Sequence, residues 1–580
     1  MHTARELAAR VRAGSASAEQ VMRETLSAIE AYDAVQPQAW ISRFAPKQLL
    51  AMARAVDARV AAGEDLPLAG VPFAVKDNID VAGLPTTAAC PTFAYEPEAH
   101  AHVVQCLCSA GAIPVGKTNL DQFATGLNGT RSPYGAPSCV FNLAYVSGGS
   151  SSGSAVVVGA GLVPFALGTD TAGSGRVPAA FNGLLGHKPS KGRWSTTGLV
   201  PACRSLDCVS LFTRDSADAL LIDELAAGFD PSDAYSRALA DRPITGQRLG
   251  VPLPHQRPWF GDMEAEFLYD QALGRLESFG FTLHPLDFAP LLEAARLLYS
   301  GPWVAERTAA LEPMLRDHPK AIDPTVREIV AAGESLTAVQ AFRGQYQLMA
   351  HARAAESLWN QVDALAVPTS PTIYRIAELR AEPIALNSHF GVFTNFVNLL
   401  DMAAVALPAG YRHNCAGFGI SLFAPAGTDR ALLQLAETWG NPYPRPKLDT
   451  GDHMDSIRLA VVGAHLEGMP LHWQLTSRNA RFVAATETAP SYKLYAMAES
   501  VPPKPALVHD TTGAAIKVEV YELGVAEFGS FVAEVPPPLA IGTVTLADGS
   551  SVKGFVAEPR ALIGAEDITH LGGWRAFIAR

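Results

Sequence analysis

The sequence predicts an α/β protein with a large first domain over residues 1–440, a linker over 441–456 and a small strand-rich domain over 457–580. Three observations lead to that reading. From residue 1 to about 440, helical patterns alternate with short apolar runs, the signature of helices layered on a mostly buried sheet. At residues 441–456 the pattern breaks into NPYPRPKLDTGDHMDS, rich in proline, aspartate and glycine. Beyond it the apolar runs become strand-like. A chain of 580 residues, 48% of them hydrophobic, is also long for one domain and has ample material for a large core.

Taken in order, MHTARELAARVRAGSASAEQVMRETLSAIEAY at the start has helical spacing with charges throughout, unlike a secretory leader. VPFAV (71–75) reads as a buried strand that ends at Lys76, and AIPVG (112–116) as a second strand. VVVGAGLVPFAL (156–167) is an apolar run suited to burial, followed by GTDTAGSGRVPAAF (168–181). The small residues of that stretch leave backbone N–H groups uncovered, which makes either a tight turn or a cradle for a negatively charged atom. DALAVPT (363–369) and AVALPAG (404–410) add further strands. In the tail, IRLAVVGAHL, KVEVYEL and IGTVTLADGSSVKGFV are strand-like, the last with ADGS as the turn of a hairpin.

The charge balance, 45 basic against 57 acidic residues with no dense basic run, argues against a nucleic-acid surface. Seven cysteines without a CxxC pair suit a reducing compartment, and no apolar stretch reaches the roughly 18 residues of a membrane span. The expectation is a soluble cytoplasmic protein that engages neither nucleic acid nor membrane. No HExxH pattern points to zinc, and the chemistry outlined below calls for no cofactor.

Two motifs mislead. GAIPVGKT (111–118) fits the phosphate-loop pattern GxxxxGK[ST], but such a loop follows a strand, whereas HVVQCLCSAGA before it is helix-like and Ala112–Val115 is itself the strand. GSSSG (149–153) fits the nucleophile elbow GxSxG centred on Ser151, with His187 and His413 downstream as conceivable partners.

Three further pieces lie in order: VPFAVKDNID with Lys76, GGSSSGSA with Ser150, and GTDTAGSGRVPAA with Ser174, spaced 74 and 24 residues apart. Together with GKTNLDQFATG (116–126), RSPYGAPSCVFN (131–142) and GLLGHKPSKGRWS (183–195), they resemble the amidase signature family over roughly residues 20–440. That family hydrolyses amides with a Ser-Ser-Lys triad on a mixed sheet covered by helices. The resemblance implies Ser174 as nucleophile, Ser150 as a bridging serine in a cis peptide and Lys76 as base. It also implies an oxyanion hole at Thr171, Ala172, Gly173 and Ser174. The types suit the chemistry: a serine hydroxyl attacks only when its proton is taken, and a lysine can take it only if desolvation keeps it neutral near pH 7. Many relatives read DTGGSIR where this chain has DTAGSGR, which places a methyl at Ala172 beside the hole and leaves room at Gly175.

The rest of the chain narrows the substrate. LYSGPWVAERTAAL (298–311), GAHLEGMPLHWQL (463–475), PPKPALV, DGSSVKGFVAEP and DITHLGGWRAF resemble the allophanate hydrolases, whose C-terminal α+β domain is similar to γ-glutamyl cyclotransferases. The resemblance implies allophanate as substrate, a urea carboxylase upstream, and a homodimer or higher homo-oligomer. It places Tyr299 and Arg307 on the substrate, with Gly126 and Asn128 as further polar contacts. Eight residues apart on one helix, Tyr299 and Arg307 are expected to point into one pocket, where the guanidinium fork would pair with a carboxylate. His465 and His472 are the candidates for a C-terminal site linked to decarboxylation of the first product. The alternatives are a general small-amide amidase, the amidase component of an amidotransferase, or an assembly protein with an inactive core.

Overall fold

The computed structural model describes residues 2–450, 456–498 and 500–580, and the chain divides into two compact units. One comprises Met1–Arg412 and Ala416–Thr450, the other His413–Cys415 and Gly451–Arg580. Of the expected linker, residues 451–455 lie outside the described residues.

The first unit is built on an eleven-stranded mixed sheet. Its first strands are β1 (Trp40–Arg43), β2 (Pro72–Lys76) and β3 (Ile113–Thr118), after which β4 (Ser138–Cys139) and β5 (Asn142–Val146) form a separate hairpin. The sheet continues with β6 (Phe165–Asp170), β7 (Leu185–Lys188), β8 (Cys208–Thr213), β9 (Arg248–Pro252) and β10 (Thr282–Leu286). It is completed by β11 (Ala364–Pro368), β12 (Met402–Tyr411) and β13 (Gly417–Pro425). Across the sheet the order is β1-β3-β2-β6-β8-β7-β12-β13-β11-β9-β10. β2 runs parallel to β3 and β6, while the β6–β8–β7–β12–β13 stretch is antiparallel. Strands covered on both faces read as unbroken apolar runs, and every residue of β2, β6 and β8 is buried. Phe73 of β2 stacks on Phe165 of β6 at 5.1 Å, and burying each such side chain contributes about 1.5–3 kcal/mol.

The apolar run 156–167 divides in two. Its first part completes the helix Ser152–Gly159, a turn follows with Gly161 at φ 75°, and the rest enters β6. Both misleading motifs have structural work. The helix His102–Ser109 and not a strand precedes Gly111, and Lys117 is buried in an ion pair with Asp77 at 3.2 Å. Ser151 Oγ donates to the Thr169 carbonyl at 3.1 Å, tying the helix start to β6, while His187 lies against Asp223 and Asp429.

The second unit has a five-stranded sheet of β14 (Ser456–Val461), β15 (Arg481–Glu487), β18 (Lys517–Gly524), β19 (Leu539–Thr545) and β20 (Ser551–Ala557), ordered β15-β18-β14-β20-β19. β19 and β20 form the hairpin expected around ADGS. A smaller sheet joins β16 (Tyr492–Ala496), β17 (Pro505–His509) and β21 (Glu566–Asp567), and the helix Val525–Ala533 makes the unit α+β. Its own apolar core gathers Leu459, Val461, Leu494, Val520, Phe531, Phe555 and Trp574. Among the described residues, no helix is long and apolar enough to cross a membrane.

Candidate functional site

Lys76 closes β2, and the parallel register of Val75 with Leu167 carries its side chain to the end of β6. There Nζ donates to Thr169 Oγ1 at 2.6 Å and to Ser150 Oγ at 2.8 Å, entirely out of solvent. Burial lowers its pKa from 10.5 to about 7, against the opposing fields of Asp121, Asp207 and Asp170. A base must be neutral to accept a proton, and the neutral fraction of Lys76 grows as pH rises through about 7. kcat/KM is therefore expected to climb about tenfold per pH unit below that value and to level above it. A pH–rate profile that stays flat from well below to well above neutrality removes Lys76 as the base.

Ser150 follows a cis peptide bond from Gly149, and its carbonyl accepts the Asp121 N–H at 3.1 Å. Ser174 is buried, with Oγ donating to the Gly126 carbonyl at 3.5 Å; among the described residues no hydrogen bond joins it to Ser150. Gly126 has no space for a side chain, since a Cβ there would lie 2.5 Å from Asp121 Oδ2. Asn128, by contrast, accepts from Thr130 within its loop and donates to Asn387 on the helix Ala385–Phe390.

The four amides of residues 171–174 are not equivalent. Gly173 N–H donates to Asp170 Oδ1 at 2.9 Å and Gly175 N–H to Oδ2 at 3.0 Å. Arg176 holds the same carboxylate through two hydrogen bonds of 2.8 and 2.9 Å. The expectation that Gly173 offers a donor to an oxyanion is corrected here, because the buried Asp170 carboxylate takes that proton. Thr171, Ala172 and Ser174 remain as candidate donors. Gly173 itself is required by space: at φ 134° a Cβ would sit 2.4 Å from Thr394 Oγ1. The Ala172 methyl, expected beside the hole, is buried in a cluster with Cys203, Leu206, Leu298 and Trp303. One further expectation changes. Gly175 leaves no room beside the nucleophile, since a Cβ there would meet the Ser210 side chain at 2.6 Å.

Tyr299 and Arg307 do not share a helix. Gly301, in extended conformation, and Pro302 end Ala289–Ser300 and start Trp303–Asp317, because proline at the head of a helix opens a new element. The two residues still meet: Arg307 Cζ lies 5.2 Å from the Tyr299 ring centre, a cation–π distance, and its guanidinium donates weakly to Tyr299 Oη at 3.5 Å. Arg307 is 1% exposed and donates to Thr125 Oγ1 at 3.3 Å, while Nε has no partner. Among the described residues it makes no ion pair, and its neighbour Glu306 instead binds Ser205 and Cys203. A cavity of about 310 Å³ opens beside Tyr299, lined also by Leu127, Arg131, Asn387 and Asn395.

Sequence reasoning missed Thr169 as the second partner of Lys76, the Asp170–Arg176 pair, and Asp207. The Asp207 carboxylate is buried, accepts Thr171 Oγ1 at 2.5 Å, and is pushed up to about 6 by burial. Asp170 and Arg176 sit within the signature stretch and were legible there; Asp207 lies 36 residues from Thr171.

In the second unit the two histidines engage different partners. His465 stacks on Phe555 at 4.9 Å and its Nε2 meets Gln474 Oε1 at 2.8 Å; burial lowers its pKa to about 4. His472 Nε2 lies 3.0 Å from Tyr521 Oη, which donates to Glu519. Glu519 also binds Arg575 at 2.8 Å, beside a cavity of about 410 Å³ lined by Leu466, Lys517 and Trp574.

Comparison with known proteins places these features in a family. Residues 23–433 match the model of the Amidase family, and residues 457–579 that of the Allophanate hydrolase C-terminal domain. The urea amidolyase of Saccharomyces cerevisiae is 45% identical over 569 residues, covering 93% of this chain and 31% of that protein. The chain thus spans about a third of the length of that curated relative. A glutamyl-tRNA(Gln) amidotransferase component from Moorella thermoacetica is 33% identical, covering 75% of this chain and 95% of that protein. A solved structure of Kluyveromyces lactis allophanate hydrolase is 41% identical, with a TM-score of 0.72, and the match covers 100% of this chain and 99% of that one.

Proposed function

Because the chain belongs to the amidase family, we propose that it hydrolyses allophanate, H2N–CO–NH–COO⁻, releasing ammonia by a Ser-Ser-Lys mechanism. The observation that carries the reading is Arg307, a buried guanidinium with no ion pair among the described residues. It donates to Thr125, while Ser174 donates to the carbonyl of the adjacent Gly126. Cation and nucleophile therefore touch the same dipeptide, as a small amide with a nearby carboxylate requires. Arg307 has hydrogen bonds and the fields of Asp207 and Glu306 but no ion pair among the described residues, and the carboxylate of an anionic substrate supplies one.

In this mechanism neutral Lys76 accepts the Ser150 proton, Ser150 accepts that of Ser174, and Ser174 Oγ attacks the terminal amide carbonyl. The amides of Thr171, Ala172 and Ser174 are the candidate donors to the oxyanion, each such donor contributing about 3 kcal/mol. The proton returns through Ser150 to the leaving nitrogen and ammonia departs. Water then frees N-carboxycarbamate from Ser174; protonated at nitrogen it loses one carbon dioxide to give carbamate, which takes up a further proton and breaks down to the second carbon dioxide and the second ammonia. We assign residues 457–580 to that later stage, with His465, neutral near pH 7, and His472 as the residues to test. A urea carboxylase is the supplier the substrate implies, and the cytoplasm the compartment that keeps seven cysteines reduced. A homodimer or larger homo-oligomer completes the proposal.

The test is stoichiometric. Intact protein is expected to release two ammonia per allophanate, and a chain ending at residue 450 to consume allophanate with delayed carbon dioxide. Hydrolysis of neutral amides or glutamine with no turnover of allophanate by the intact protein overturns the substrate assignment.

A further inference from the structure

The register of β6 on β8 pairs Asp170 with Cys208, so the residues that leave the two strands, Thr171 and Asp207, face each other. Thr171 Oγ1 donates to Asp207 Oδ1 at 2.5 Å. The same carboxylate accepts the amides of Ala202 at 2.9 Å and Cys203 at 3.0 Å, and the Cys203 carbonyl accepts Leu206 and Asp207 N–H. Residues 202–207 are thereby closed into one hydrogen-bonded turn. Its other side is bound to the helix Trp303–Asp317: Glu306 accepts both the amide and the hydroxyl of Ser205 at 2.7 Å, and Cys203 Sγ donates to it at 3.0 Å. Apolar packing follows the same route, since Ala172, Cys203, Leu206, Leu298 and Trp303 form one buried cluster. The turn touches the loop that carries Ser174 on one side and the residue before Arg307 on the other.

We propose that residues 202–207 are a spacer between the two halves of the substrate site, with Asp207 and Glu306 as positioning residues that fix the span from nucleophile to guanidinium. Asp207 holds the oxyanion loop through Thr171, and Glu306 holds the Arg307 helix through Ser205. The consequence is selectivity by length: an amide is accepted when its carboxylate lies one atom beyond the scissile carbonyl. The Asp207 carboxylate, pushed up to about 6 by burial, is ionised at neutral pH and so accepts all three donors. This inference rests on the allophanate reading, through the role given to Arg307.

The experiment uses the full chain with malonamate, in which CH2 replaces the NH of allophanate, and succinamate, one methylene longer. The ratio of their kcat/KM values is independent of the amount of folded enzyme, so a merely structural role does not move it. Wild type is expected to favour malonamate, and Glu306→Ala to shrink the preference at least tenfold while fluorophosphonate labels Ser174 within threefold of the wild-type rate. Thr171→Val and Asp207→Asn are expected to lower kcat and the labelling rate together, at least tenfold, with Thr171→Ser restoring both. A wild-type preference kept within threefold in Glu306→Ala overturns the spacer, and undiminished labelling in Thr171→Val overturns the part given to Asp207. Wild-type protein that labels but turns over neither allophanate nor malonamate sinks the substrate reading and the Glu306 half with it. The Thr171 variants then decide the Asp207 half alone.

Discussion

Replacing Ser174 with alanine is expected to lower kcat for allophanate at least ~10⁴-fold, about 5 kcal/mol of transition-state stabilisation, while substrate still binds. Covalent catalysis has no substitute for the missing oxygen, because Lys76 and Ser150 then have no proton to move toward attack. The fold has little stake in that oxygen: its hydrogen bond is the 3.5 Å contact to the Gly126 carbonyl, and Gly173 and Gly175 are held by Asp170 whatever stands between them. The melting temperature is accordingly expected to stay within about 2 °C of wild type. Loss of activity with retained stability and retained substrate binding, measured by calorimetry, is the pattern that a nucleophile gives. More than a few per cent of residual turnover, or a collapse of stability, overturns the assignment.

What the sequence makes legible here is what local pattern encodes. VPFAV becomes β2 because a strand buried on both faces must be apolar throughout, and Lys76 stands out because it ends that run. The turn residues around Ser174 are legible because a crowded loop excludes side chains, as Thr394 does at Gly173. The break between Tyr299 and Arg307 was also written in the chain, as Gly301 and Pro302, but an eight-residue spacing that fits one helix hides it. Contacts set by strand register are different in kind. Thr169 reaches Lys76 across 93 residues and Asp207 reaches Thr171 across 36, and no periodicity in either segment announces its partner. The Gly173 amide illustrates the same limit, since whether it faces a substrate or Asp170 depends on the path of a few bonds.

Removing the Arg307 guanidinium is the second large effect. Arg307→Met keeps the volume of the stem and deletes the charge. It is expected to lower kcat/KM for allophanate ~10³-fold, about 4 kcal/mol, chiefly through KM. Two charge-assisted hydrogen bonds to a carboxylate, each worth roughly 1.5–3 kcal/mol, account for that magnitude. Arg307→Lys is expected to recover less than tenfold of the loss, because an ammonium cannot form the paired contact that the planar guanidinium, 5.2 Å from the Tyr299 ring centre, can make. Stability should move the opposite way. In the free protein Arg307 is a cation 1% exposed with Nε unpartnered and no ion pair among the described residues; the fields of Asp207 and Glu306 offset part of its burial cost, and an apolar side chain removes the remainder. The Arg307→Met protein is therefore expected to melt higher than wild type, and a non-reactive dicarboxylate such as malonate to raise the melting temperature of wild type alone. Ligand binding and stability then report on one charge from two directions. Equal stabilisation of both proteins by malonate, or an unchanged KM in Arg307→Met, takes Arg307 out of the substrate site.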